Sequence, residues 1–97
     1  MDKVQMARQF IEAIPHARDL GLKLIELENG VAVITMPYDK KLIGNPATGV
    51  VHGGAVSALM DTCSGAAVMS HPDAPGGTAT IDLRIDYMRT AKPGDTI

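Results

Sequence analysis

The stretch Val50–Ser64 reads VVHGGAVSALMDTCS and places a single carboxylate, Asp61, inside the most apolar segment of the chain. Asp is a poor residue for a helix interior because its short side chain competes for backbone hydrogen bonds. An ionised carboxylate in apolar surroundings also costs several kcal/mol unless a partner compensates it. Two interpretations stay open from these residues: a structural polar group that caps a neighbouring backbone group, or a functional carboxylate.

Around Asp61, residues 53–70 predict one long helix that is apolar over most of its circumference. Ser57, Asp61 and Ser64 are the exceptions, and their spacing of four and three residues puts them on one narrow stripe. A polar stripe on an otherwise apolar helix is typical of a helix that lines a cleft.

The residues before this helix, His52-Gly53-Gly54, predict a tight turn that a ligand can approach closely. The first N–H groups of a helix have no partner within it and lie at the positive end of the helix dipole. They could polarise a carbonyl and stabilise an oxyanion. A plain loop-to-helix joint is the alternative interpretation of the two glycines.

The spacing between the turn and the carboxylate adds a constraint. Gly53 and Asp61 are eight residues apart, which is roughly 12 Å along a helix. A base and an oxyanion donor that act on one carbonyl must both lie close to it. One helix cannot supply both groups, so joint action requires two antiparallel copies of the helix, with each Gly53 near the other copy's Asp61. The chemistry therefore predicts a dimer.

The rest of the chain predicts a mixture of helix and antiparallel strand. Asp2 is a candidate N-cap for an amphipathic helix that Pro15 ends, and Asn29-Gly30 is a strong hairpin signal. The other predicted elements are strands over 22–28 and 31–36, a loop over 39–49, a strand with strict alternation over 78–88, a turn over 91–95 and the start of a strand at 96–97.

Composition excludes several classes of function. The 97 residues carry a net charge of −2, with one Phe, two Tyr and no Trp, which argues against a nucleic-acid-binding surface. Cys63 is the only cysteine, so neither a disulfide framework nor a cysteine zinc site is expected. No apolar run reaches the roughly 18 residues of a spanning helix, and His16, His52 and His71 lack ligand spacing. A cytoplasmic protein with no metal, no cofactor and no membrane or nucleic-acid partner is expected.

Three features occur in order: VVHGG, a long helix with an acid eight residues after the first glycine, and the strand-turn segment IDLRIDYMRTAKPGD. This combination resembles the hotdog-fold acyl-CoA thioesterases, and the phenylacetate-degradation-type branch is the nearest match. The resemblance covers 14–97 and implies an α+β hotdog fold, in which a curved antiparallel sheet wraps the long helix. Family domains continue with two or three further strands, so 1–97 is expected to be a single hotdog domain without its C-terminal strands.

The resemblance also implies roles for particular residues. Asp61 matches the catalytic acid, which acts as a general base on water or as a nucleophile, and the Gly53 N–H matches the group that polarises the thioester carbonyl. Asn45 matches the residue that positions water or the carbonyl, and Thr80 matches the hydroxyl that assists the acid. His52 matches a histidine that fixes the turn by hydrogen bonding. Acyl-CoA is the expected substrate, and a homodimer or a dimer of dimers is the expected assembly.

Further side chains are candidates for contacts with the substrate. Arg84, Arg89 and Lys92 could bind the phosphates of coenzyme A through charge-assisted hydrogen bonds. Ordinary solvated surface charges are the alternative interpretation of these three residues. The predicted substrate-binding set is His52, Gly54, Ser57, Ser64, Arg84 and Arg89.

Two other functions remain as alternatives. An acyl-CoA-binding hotdog module without turnover would need the same cleft but not Asp61. A hotdog hydratase or dehydratase would need a positioned Asp–His pair, and His52 is not placed for one. A lone cysteine on an apolar helix, such as Cys63, is usually part of the packing and not a nucleophile.

Overall fold

The computed structural model describes residues 3–74 and 76–97. The elements follow the chain as two N-terminal helices, a β-hairpin, a short 3-10 turn and one long helix. They are α1 (Lys3–Ala13), α2 (Pro15–Leu20), β1 (Lys23–Glu28), β2 (Val31–Thr35), the 3-10 turn Lys40–Leu42 and α3 (Gly53–Ser70).

The N-terminal helix α1 packs one stripe of apolar residues onto the core. Ile11 is buried, and Val4, Ala7 and Ile14 pack beside it at helical spacing. Phe10, on the same helix, is 70% exposed. The predicted N-cap Asp2 lies outside the described residues. Pro15 ends α1 as predicted. It also begins α2, because proline is well suited to a first helical position. This second helix was not predicted from the sequence.

The hairpin β1–β2 confirms the predicted turn at Asn29-Gly30. Glu28 pairs with Val31 in antiparallel register, which leaves a two-residue connection. Asn29 and Gly30 have φ angles of 46° and 89°, and the turn types that suit a two-residue hairpin require this left-handed region. Leu24, Leu27 and Ile34 point to the buried face of the sheet, as expected for strands with one face on a core.

The long helix α3 lies across the buried face of the hairpin, with its predicted bounds confirmed. Ala55 and Leu59 are buried in the main apolar cluster, and Cys63 is half-buried with its thiol 3.4 Å from the carbonyl oxygen of Ala32 on β2. A Cβ on Gly65 would meet nothing within 4 Å, so packing within the single chain does not require glycine at this position.

A loop of residues 39–52 connects β2 to α3 and is closed by backbone hydrogen bonds. The Gly44 N–H donates to the carbonyl of Val50 at 2.9 Å, and the His52 N–H donates to the carbonyl of Leu42 at 2.7 Å. These two bonds fold the loop back on itself and bring His52 to the start of α3.

The segment 78–88 differs from its prediction as a strand. It forms no ladder of backbone hydrogen bonds with any other described segment, and the sheet of the described residues contains β1 and β2 alone. Leu83 and Ile85 are half-buried, as the alternation predicts, but Ile81 is fully exposed. Alternation predicts an extended backbone; a sheet strand also needs a neighbour to accept its hydrogen bonds.

The last residues return to the hairpin. The Val51 N–H donates to the carbonyl of Ala91, and Met36 and Ile97 exchange two backbone hydrogen bonds of 2.8 and 3.2 Å. This reciprocal pair agrees with the predicted start of a strand at 96–97. None of the helices in the described part of the chain has the length and apolar character that crossing a membrane requires.

Candidate functional site at the start of the long helix

The turn that begins α3 leaves one backbone donor available. The Nδ1 atom of His52 accepts a hydrogen bond from the Gly54 N–H at 2.8 Å, and the His52 carbonyl accepts one from the Ala55 N–H at 3.0 Å. Within the described residues no acceptor is recorded for the Gly53 N–H. His52 therefore caps the helix and occupies the second N–H group, and Gly53 keeps its own N–H at the positive end of the dipole.

Tyr87 reaches this turn from the segment 78–88. Its hydroxyl donates to the carbonyl of Gly53 at 2.8 Å and lies 2.9 Å from the hydroxyl of Ser57. Ser57 is also 3.2 Å from the same Gly53 carbonyl. The hydroxyl of Ser57, predicted to contact substrate, is thus engaged with Tyr87 and Gly53 in this chain. Tyr87 was not among the site residues predicted from the sequence.

Asp61 lies two turns further along α3 and is hydrogen-bonded by Thr80. The Thr80 hydroxyl donates to Oδ1 of Asp61, which joins the two residues that the resemblance pairs. Asp61 is exposed in this chain. The apolar neighbours of Asp61 in the sequence do not bury it in the single chain, because the buried residues of α3 face the hairpin while Asp61 and Ser64 face away from it.

Asn45 is directed into its own loop. Its side-chain oxygen accepts from the Ala47 N–H at 3.0 Å, and its backbone carbonyl accepts from the Gly49 N–H at 2.8 Å. This arrangement is an Asx turn, a local role that Asn commonly takes. Within the described residues, no hydrogen bond joins the side chain of Asn45 to Gly53 or Asp61.

The two arginines predicted to bind coenzyme A are exposed and form ion pairs. Arg84 lies 3.2 Å from Asp86, and Arg89 lies 3.5 Å from Asp95. Exposed pairs of this kind contribute little to stability.

An apolar groove opens beside the start of α3. Its volume is about 580 Å³, and its walls include Val51, Val56, Tyr87, Ala91 and Ile97. Gly53 contributes to the same groove, and Arg89 and Asp95 also line it. The free Gly53 N–H therefore lies beside this apolar groove, and a polar group beside apolar walls is common in ligand sites. No three His, Cys, Asp or Glu side chains in residues 3–74 and 76–97 come together as metal ligands.

Known proteins share this arrangement of sequence and fold. The family model of the thioesterase superfamily matches residues 48–97, half of the chain. The medium/long-chain acyl-CoA thioesterase YigI of Salmonella typhimurium is 27% identical over 100 residues, which cover 90% of this chain and 64% of that protein.

Two solved structures have the same fold. A conserved protein of Pseudomonas aeruginosa superposes with a TM-score of 0.80 at 31% identity. The superposition covers 93% of this chain and 69% of the Pseudomonas chain. The PaaI protein of the Escherichia coli phenylacetic acid degradation operon superposes with a TM-score of 0.76 at 31% identity, over 95% of this chain and 63% of its own.

These matches define the class of the protein. The chain belongs to the thioesterase superfamily, and its long helix on an antiparallel hairpin is part of the hotdog fold. The resemblance noted from the sequence, including the branch that contains PaaI, is confirmed. The chain spans about two thirds of the lengths of these relatives.

Proposed function

We propose that the protein hydrolyses acyl-CoA thioesters, with Asp61 as general base or nucleophile and the Gly53 N–H as the donor that polarises the thioester carbonyl. The observation that carries the proposal is the unoccupied Gly53 N–H at the start of α3, beside an apolar groove. The names of YigI as an acyl-CoA thioesterase and of the matching family support the substrate class.

In the general-base route, Asp61 accepts a proton from water as the water oxygen attacks the thioester carbonyl carbon. The carbonyl oxygen becomes an oxyanion that the Gly53 N–H stabilises. The C–S bond then breaks, coenzyme A leaves as a thiolate and takes up a proton, and the free acid remains. In the nucleophile route, a carboxylate oxygen of Asp61 attacks the same carbon, the C–S bond breaks and coenzyme A leaves as a thiolate that takes up a proton. Water then hydrolyses the mixed anhydride, which releases the free acid and regenerates the Asp61 carboxylate. In both routes the Thr80 hydrogen bond orients the carboxylate.

The proposed site is shared between two chains. Gly53 and Asp61 are separated by eight helical residues, roughly 12 Å of rise, and therefore cannot act on one carbonyl. The exposed side of α3, which carries Asp61 and Ser64, is the side that a second copy would cover. We infer a homodimer, or a dimer of dimers, in which the Gly53 of one chain serves the Asp61 of its partner.

The first test is release of free thiol from short, medium, long and aryl acyl-CoAs. Asp61→Asn should lower kcat by at least about a hundredfold, because general bases contribute roughly 10² to 10⁴ in rate. Asp19→Asn, an exposed carboxylate on α2, is the matched control and should leave kcat unchanged. If the wild-type protein binds acyl-CoA but releases no thiol, the proposal of a hydrolase is wrong and the alternative of an acyl-CoA-binding module takes its place.

The second test isolates the Gly53 N–H. Gly53→Pro removes this N–H at the first helical position, where proline is tolerated, and should lower kcat by roughly 10² to 10³. Gly53→Ala keeps the N–H, and its Cβ would meet Tyr87 only at an ordinary contact of 3.5 Å, so it should stay within a few-fold of wild type. Equal loss in both variants would contradict the assigned role.

Heterodimers test whether the site is shared. One chain carries Asp61→Asn, the other carries Gly53→Pro, and the heterodimer is purified through a different tag on each chain. If each site takes its Asp61 and its Gly53 from different chains, this heterodimer keeps one intact site. About half of the wild-type activity is then expected from this site count. If both groups act within one chain, each chain carries one defect and the heterodimer is inactive.

A further inference from the structure

Tyr87 is placed to control the geometry of the Gly53–Gly54 peptide. Its hydroxyl donates to the Gly53 carbonyl at 2.8 Å, while the Gly54 N–H at the other end of the same peptide donates to His52 at 2.8 Å. Two successive glycines have unusual backbone freedom, so their orientation depends on such external contacts. The peptide is thus fixed at both ends, once from the preceding residue and once from a segment 34 residues away.

The aromatic ring and a second hydroxyl support the contact. A Cβ added to Gly53 would lie 3.5 Å from Cζ and Oη of Tyr87, so the ring leaves room for about one methyl group beside Gly53. The hydroxyl of Ser57, 2.9 Å from that of Tyr87, can donate to it while Tyr87 donates to Gly53. The two hydroxyls and the Gly53 carbonyl therefore form one small hydrogen-bonded cluster at the turn.

We propose that Tyr87 is a positioning residue for the reaction. It fixes the Gly53–Gly54 peptide. Because that peptide shares the Gly53 Cα with the peptide that carries the Gly53 N–H, Tyr87 restricts the direction in which this N–H points toward the thioester carbonyl. This inference rests on the proposed function. Tyr87 acts through Gly53 and contributes no proton to the reaction. The same ring lines the apolar groove beside the turn, so the segment 78–88 links substrate binding to the orientation of the donor.

The perturbation is Tyr87→Phe, which removes the hydroxyl and retains the ring. We expect kcat to fall about tenfold with KM within about twofold, a smaller loss than the roughly 10² to 10³ of deleting an oxyanion donor outright. Tyr38→Phe is the matched control, because the hydroxyl of Tyr38 donates to a glycine carbonyl, that of Gly49, at the same 2.8 Å. Tyr38→Phe should leave kcat within twofold.

A double-mutant comparison separates positioning from a general structural effect. In the Gly53→Pro background the donor is absent, so adding Tyr87→Phe should lower kcat no further. Multiplicative losses in the double variant would show that Tyr87 acts by another route and would overturn the inference. An unchanged kcat for Tyr87→Phe alone would overturn it as well.

Glycine-selective ¹⁵N labelling gives a readout that does not depend on turnover. The chain has ten glycines, which give a sparse amide spectrum. In Tyr87→Phe the Gly53 and Gly54 signals should shift or broaden while that of Gly65 stays in place; in Tyr38→Phe both turn signals should remain. If the wild-type protein hydrolyses no thioester, the proposed function fails, and these signals alone decide whether Tyr87 fixes the turn. Unchanged Gly53 and Gly54 signals would refute that placement.

Discussion

Substitution of Gly44 by alanine tests the packing that brings His52 to the start of α3. A Cβ on Gly44 would lie 2.8 Å from Cα of His52 and 3.2 Å from its backbone nitrogen. Carbon atoms in contact prefer about 3.5 to 4.0 Å, so the two backbone segments must separate by roughly 0.7 Å or more. The φ angle of Gly44 is not in the left-handed region, and the expected cost is therefore steric.

The magnitude follows from the two hydrogen bonds that join these segments. The Gly44 N–H to Val50 and His52 N–H to Leu42 bonds, of 2.9 and 2.7 Å, would both stretch. Overpacking of this kind typically costs about 1 to 3 kcal/mol, which for a domain near this size lowers Tm by about 4 to 8 °C per kcal/mol. Because His52 caps α3, the kcat for thioester hydrolysis should fall together with the free energy of unfolding.

Urea unfolding followed by circular dichroism measures the change, with Gly65→Ala as the matched control. Gly65 is a helical glycine with open space around it, so alanine should stabilise the chain by about 1 kcal/mol through helix propensity. Opposite signs for the two substitutions are expected. A Gly44→Ala variant as stable as the wild type would refute the reasoning, because it would show that the loop yields without losing its hydrogen bonds.

Three further substitutions test the core of the chain and the role of its cysteine. Ser70→Ala removes the buried hydroxyl that accepts from the Gly30 N–H at 2.8 Å, and thermal unfolding should show a loss of about 1 to 3 kcal/mol. Leu24→Ala should cost about 2 to 5 kcal/mol in urea unfolding because this side chain is 2% exposed, whereas Ile25→Ala, at 56% exposure, should cost far less; equal costs would contradict the assigned core. Cys63→Ala should retain thiol-release activity, and a hundredfold loss would instead indicate a catalytic thiol.

The sequence predicted the site unevenly. Asp61 was singled out by its apolar neighbours and Gly53 by its place before a helix. Both inferences used only residues within one or two helical turns of the residue in question. Thr80 was paired with Asp61 through the family resemblance alone, because no periodicity joins residues 19 positions apart. Tyr87 was missed: alternation placed it on the same side as Leu83 and Ile85, yet gave no sign that this side meets the start of α3.

Local physical chemistry by itself determined the hairpin and the bounds of α3. Asn29-Gly30 permits the left-handed turn, and the glycines and the apolar run of 53–70 specify a helix through interactions a few residues long. The Gly53 N–H stays available through a local contact, because the adjacent His52 caps the Gly54 N–H instead. Tertiary structure decided that the Tyr87 hydroxyl reached the turn and which face of α3 stayed exposed. Those two outcomes depend on how segments more than 30 residues apart pack together, and each helix or strand is compatible with several such packings when considered alone.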